Sequence, residues 1–104
     1  MERVGFTMRL LPGAEAEYRR RHAAVWPEML DALRSAGCHD YSIYQRDSDL
    51  FGYFEVEDFD RFRATMDAAE VNARWQADMA RLIDPLTDPA TGFHQRLVEV
   101  FHLD

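Results

Sequence analysis

Cysteine is almost missing from this chain: Cys38 is the only one among 104 residues. A lone thiol excludes an internal disulfide framework and fits a reducing compartment. No activating base stands near Cys38 in sequence, so it reads as a small buried hydrophobe. Long apolar runs are missing as well. The N-terminal MERVGFTMRLLPGAE has no signal-peptide core, and no stretch approaches the roughly 20 apolar residues that a membrane helix needs. These absences predict an intracellular, cytoplasmic protein. Positive charge is in deficit, with 12 Lys+Arg against 19 Asp+Glu and a formal net charge of -7. Such a balance opposes binding to nucleic acid or to an anionic membrane. The run Arg19 to Arg21 does not reverse it, because successive helical residues fan out instead of forming one patch. A solvated face with ion pairs to Glu15 and Glu17 is expected there. The five glycines are scattered and form neither a GxGxxG fingerprint nor a phosphate-cradling loop. HExxH, CxxC and the G-x-S-x-G elbow are also absent, and His39, His94 and His102 show no ligand spacing. No metal site is expected.

What the chain does hold is core material. It is 47% hydrophobic, with seven Phe, four Tyr and two Trp, enough for one compact domain over residues 1–104. There is no internal repeat, linker or low-complexity segment. RVGFTMRL alternates, with Val4, Phe6, Met8 and Leu10 on one face, and predicts a strand. A helix follows from about Ala14, and Pro27 kinks or restarts it. PEMLDALRSAG reads as a Pro-led helical piece closed by Gly37. HDYSIYQR and LFGYFEVE, joined by a tight DSD turn, predict an antiparallel hairpin. DFDRFRATMDA carries Phe59, Phe62 and Met66 at helical spacing. EVNARWQADMARLI predicts a further helix with Val71, Trp75, Met79 and Leu82 on one stripe. DPLTDPATG is a loop, and FHQRLVEVFHL a final strand.

The order β-α-β-β-α-β defines an α+β fold of the ferredoxin-like split type, with helices over one face of the sheet. Yet the later strands are apolar on both faces. Leu50, Gly52, Phe54 and Val56 oppose Phe51 and Tyr53, and Leu97, Phe101 and Leu103 oppose Val98 and Val100. One chain has helices for only one face. A second copy packed sheet to sheet would cover the other, so a homodimer is expected.

The chemistry-bearing residues begin in EYRRRHAAVWPEML. Tyr18 and His22 are i,i+4 neighbours and project from one helix face, with Trp26 four residues on. Tyr41 opens the second strand, and Trp75 sits midway along the last helix. Taken singly, each is a candidate core residue. Taken together, one imidazole, two phenols and indoles suit a sugar: aromatic faces cover its C–H patches and polar tips meet its hydroxyls. On the residues alone both readings stand.

YRRRHAAVWPEM, AGCHDYSIY, the RW of ARWQADM and the closing EVFHLD, in this order, resemble the L-rhamnose mutarotase family across essentially the whole chain. The resemblance implies a cofactor-free isomerase of dimeric α+β barrel architecture that interconverts the α and β anomers of a 6-deoxyhexose. It implies that His22 is the proton donor and that Tyr18 and Tyr41 contact the sugar. The family's tandem tryptophan pair falls on Trp75 and Gln76, so an amide replaces half of an aromatic platform. Gln hydrogen-bonds where Trp would stack, which bears on the identity of the sugar. Other readings of the same fold are a cofactor-independent monooxygenase, a haem-degrading protein and a non-catalytic sugar-binding module.

Overall fold

The computed structural model describes every residue from Met1 to Asp104. β1 (Glu2–Leu10) is the centre of the sheet. Its alternation is visible in the burial of Val4, Phe6, Met8 and Leu10. α1 (Glu15–His22) and α2 (Pro27–Ser35) form the first crossover. Pro27 occupies the first turn of α2, where its missing N–H costs nothing. Gly37, with φ at +84°, closes that helix in the left-handed conformation. β2 (Cys38–Arg46) and β3 (Asp49–Val56) make the expected hairpin.

The second crossover is α3 (Phe59–Ala68) and α4 (Glu70–Met79). Asp58 caps α3, its carboxylate accepting the Arg61 N–H at 3.1 Å. The sheet order is β2-β3-β1, and β1 pairs antiparallel to β3 from Glu2↔Val56 to Arg9↔Asp49. This is the ferredoxin-like arrangement, with all helices on one face. Phe62, Met66, Trp75 and Met79 from the helices meet Phe6, Phe54 and Leu50 from the sheet in one core. No helix is long and apolar enough to cross a membrane.

Two boundaries differ from expectation. The helical segment expected through Ile83 ends at Met79, and Ile83–Asp84 become β4, paired to the end of β1 at Leu10↔Ile83. The final strand is also shorter than its pattern. β5 is only Gln95–Arg96, paired at Phe6↔Arg96 and Thr7↔Gln95. The chain beyond it follows β1 in the same register, with Leu97 N–H donating to the Gly5 carbonyl at 2.8 Å and Arg3 pairing with Glu99 at 2.9 Å. In that register β1 runs out at Glu2, so the last residues have no strand of this chain beside them. Val100 is 92% and Phe101 79% exposed.

The hairpin carries one irregularity. The β2–β3 register shifts by one residue between His39 and Ser42. Asp40 sits there with φ at +50°, a left-handed conformation that Asp tolerates better than most residues. This is a β-bulge, and it inverts which side chains face the helices. Cys38 points inward before the bulge; Tyr41 and Ile43 do so after it, Tyr41 packing on Phe6 and Phe54.

Candidate active site

Between the helices and the sheet lies a cavity of about 590 Å³, within the usual range for small-molecule sites. Its floor is Phe6, Tyr41 and Ile43 from the sheet. His22 from the end of α1 and Trp75 and Gln76 from α4 form one wall. The loop between β4 and β5 closes the other side with Pro85, Phe93 and His94. That loop folds back through a Thr87↔His94 bridge and the Gln95 N–H to Leu86 carbonyl bond of 2.9 Å.

His22 is fixed from several directions. Its ring stacks on Tyr18 at 4.0 Å between centroids and meets the edge of Trp75 at 5.4 Å. Its Nδ1 lies 2.9 Å from the Tyr18 carbonyl oxygen. A carbonyl only accepts, so Nδ1 carries the proton and Nε2 of the neutral ring keeps a free lone pair. Burial lowers the pKa of His22 below its ordinary value, and the bond to the Tyr18 carbonyl only partly offsets this.

The phenols behave differently. Burial pushes Tyr18 up to about 12. Tyr41 is raised further, by the protein atoms around its hydroxyl first and by the nearby Tyr18 and Cys38 groups second. Both phenols are therefore neutral donors near neutrality. The Tyr18 hydroxyl and the Trp75 indole N–H have no hydrogen-bond partner within the protein, yet neither is sealed away from solvent. Buried polar tips normally find a partner. Here they are left for something small and polar.

The cavity brings together four of the five residues singled out from the sequence: His22, Tyr41, Trp75 and Gln76. Tyr18 does not line it. Its ring lines a smaller adjoining opening of about 430 Å³, which shares His22 with the larger one. Gln76 is not loose in its Trp-like position, because its Nε2 donates to Asn72 Oδ1 at 3.2 Å and Asn72 in turn donates to the Met66 carbonyl at 3.1 Å. Trp26 stands outside, as the residue before Pro27, with its ring edge-on to Trp75 at 5.0 Å. Cys38 is buried and its thiol raised to about 11, an inert side chain. The arginine run fans out as expected. Arg20 and Arg21 pair with Glu17, Arg21 also with Asp78, and Arg19 bonds Gln45.

Arg63, Asn72 and His94 line the cavity without having been among the candidate site residues, His94 having figured only as a histidine without ligand spacing. Asn72 was within reach, standing i,i+4 to Gln76 on the same helix. His94 carried no signal, because only the folding back of its loop brings it to the cavity.

Fold and cavity together define a ferredoxin-like α+β protein with a ligand-sized site walled by imidazole, phenol and indole groups. The L-rhamnose mutarotase family profile matches residues 3–103. Curated relatives described as L-rhamnose mutarotase are 44% identical in Burkholderia orbicola, 39% in Yersinia pestis and 36% in Oceanobacillus iheyensis, each alignment covering both chains in full. The chain belongs to the L-rhamnose mutarotase family. The crystal structure of the L-rhamnose mutarotase from Formosa agariphila superposes over all of both chains with a TM-score of 0.81 at 27% identity. A second solved structure, from Pseudomonas aeruginosa, shares the fold over 78% of this chain with a TM-score of 0.54 at 22% identity.

Proposed function

We propose that this chain is an isomerase that interconverts the α and β anomers of L-rhamnose or a related 6-deoxyhexose in the cytoplasm, with His22 as its acid. One observation carries the assignment of roles. His22 lines the cavity with one ring nitrogen tied to the Tyr18 carbonyl and the other without a partner in the protein, beside a Trp75 indole N–H that also lacks one. Anomers exchange by opening the hemiacetal and reclosing it on the opposite face of the carbonyl. Opening requires a proton delivered to the ring oxygen; closure returns it. An imidazole with an ordinary pKa of about 6.5 gives and takes a proton near neutrality without a metal or cofactor. Tyr41 and Tyr18 donate hydrogen bonds to the sugar, Tyr18 from the adjoining opening, while the indole of Trp75 covers its apolar face. The test is NMR saturation transfer between the two anomeric protons of L-rhamnose, which reads exchange without a coupling enzyme. Faster exchange with the protein supports the reading. Binding of the sugar without acceleration would make the chain a sugar-binding module instead.

Gln76 belongs to the binding of the sugar rather than to the proton transfers. One N–H of its amide is given to Asn72, so its other N–H and its carbonyl are left for sugar hydroxyls. Gln76→Ala is expected to raise KM about fivefold, the weight of one hydrogen bond near 1 kcal/mol, with kcat nearly unchanged. Saturation transfer over a range of sugar concentrations, with L-rhamnose and L-fucose in parallel, separates the two constants and ranks the sugars.

The outer face of the sheet supports a homodimer. Tyr44, Phe51 and Leu97 are exposed on it, and the apolar residues beyond β5 extend past the edge of the chain's own sheet. A second copy packed on that face removes this surface from water. Phe101→Asp is expected to convert a dimer into a monomer in sedimentation velocity. A wild-type chain that sediments as a monomer at tens of micromolar would refute the arrangement.

A further inference from the structure

Opening a hemiacetal moves two protons at two oxygens bonded to one carbon. The ring oxygen gains one and the anomeric hydroxyl loses one. His22 cannot serve both at once, because its Nδ1 is tied to the Tyr18 carbonyl and only Nε2 is free. A second group is needed, and the cavity offers few. Tyr18, raised to about 12, and Tyr41, raised as well, are poor proton acceptors near neutrality. Asp67 is engaged with Arg63 at 3.8 Å.

His94 remains. It lines the same cavity as His22, on the opposite wall. Its ring is stacked on Phe6 at 4.8 Å with only 15° between the planes, and meets Phe93 at 4.9 Å. Its Nδ1 lies 2.7 Å from the Pro85 carbonyl oxygen. This repeats the device seen at His22: a backbone acceptor fixes the tautomer with the proton on Nδ1 and leaves Nε2 as the working nitrogen.

We infer that His94 is a second catalytic residue of the mutarotation, its Nε2 exchanging the proton of the anomeric hydroxyl while His22 serves the ring oxygen. In the opening step the O1–H proton passes to His94 Nε2 and the carbonyl forms between C1 and O1. The electron pair of the breaking C1–O5 bond goes to O5, which takes a proton from His22. The aldehyde then turns about C1–C2. On closure O5 attacks the other face of C1, its proton returns to His22, and O1 recovers a proton from His94. The balance closes with no oxidant, reductant or third reactant. Burial lowers the pKa of both imidazoles, and the Arg63 guanidinium from α3 lowers His94 further, with Asp67 as the ion-pair partner of that arginine. From β1 the Phe6 ring faces His94, and from its own loop the Pro85 carbonyl and Phe93 do, with Thr87 bridged to it through the backbone.

This inference rests on the proposed mutarotase activity, and the experiment separates the two. The wild-type protein is assayed by saturation transfer on L-rhamnose between pH 4.5 and 8.5, beside His94→Asn. The Asn amide sits where Nδ1 was, so it can keep the bond to Pro85 while removing Nε2. The wild type is expected to give a bell with both limbs set by imidazoles, since one ring must be protonated and the other neutral. His94→Asn is expected to lose about 10²-fold in kcat and one limb of the bell, with little change in KM or melting temperature. A wild-type chain that does not accelerate exchange removes the proposed function, and this inference with it. A wild-type chain that does, with a single-limbed profile or with a variant equally fast, overturns the role of His94 alone. The wild-type profile decides the matter even where the variant fails to fold.

Discussion

His22→Ala is expected to lower protein-driven anomer exchange by about 10²–10⁴-fold, the range that one acid–base group typically supplies. The loss should appear in kcat, because the imidazole acts on the ring oxygen as the bond breaks rather than on the resting sugar. The same ring also fills space against Tyr18 and Trp75, with centroids at 4.0 Å and 5.4 Å, so its removal leaves a gap as well as a chemical deficit. His22→Asn separates the two effects. Its amide can donate to the Tyr18 carbonyl as Nδ1 does, so the helix end is retained while Nε2 is lost. Both variants should bind L-rhamnose and exchange its anomers near the background rate. If His22→Ala exchanges them as fast as the wild type, His22 is not the acid.

The second large effect is structural. Gly52 lies directly across the β1–β3 ladder from Phe6. A Cβ on residue 52 would sit 2.2 Å from Phe6 Cζ and 2.5 and 2.6 Å from its two Cε atoms, far inside any contact distance. The Phe6 ring cannot simply step aside. It is 1% exposed and hemmed by Phe54 at 5.8 Å, Phe93 at 5.5 Å and His94 at 4.8 Å. Gly52→Ala is therefore expected to cost about 3 kcal/mol, the upper end of ordinary overpacking. For a domain of this size that lowers the melting temperature by more than about 10 °C. Because Phe6 is also the floor on which His94 stacks, anomer exchange should fall in the fraction that remains folded. Thermal unfolding followed by circular dichroism checks the first effect. A melting temperature within about 2 °C of wild type would show that the ring has room to move.

Much of this was legible in the chain itself. The alternation of Val4, Phe6, Met8 and Leu10 announced β1 and its buried face, and Pro27 and Gly37 marked the start and stop of α2. His22 and Trp75 line the cavity, Trp75 from the apolar stripe it shares with Met79, while Gln76 was singled out by the family resemblance alone. The losses have physical causes. An apolar stripe does not distinguish the last turn of a helix from the first residues of a strand, so Leu82 and Ile83 read as helix although they have left it. The alternation of Leu97 to Leu103 describes a segment suited to a sheet, but β1 ends at Glu2, opposite Val100, so Phe101 to Leu103 have no neighbour in this chain to pair with. Tyr41 faces the cavity only because of a bulge that no local pattern signals. His94 reaches it only because a loop folds back on Phe6.

That bulge bears on how such a chain could change over time. Point substitutions in β2 alter one lining group each and leave the others in place. Flattening the bulge with Asp40 retained would instead turn Tyr41 and Ile43 outward together, offering Ser42 and Tyr44 in their stead, whereas losing Asp40 would remove the extra residue and keep both inward. With two residues between Cys38 and Tyr41 this wall needs the bulge, and with one it would not, so a lineage that lost the Asp40 codon would keep the same lining on a regular hairpin.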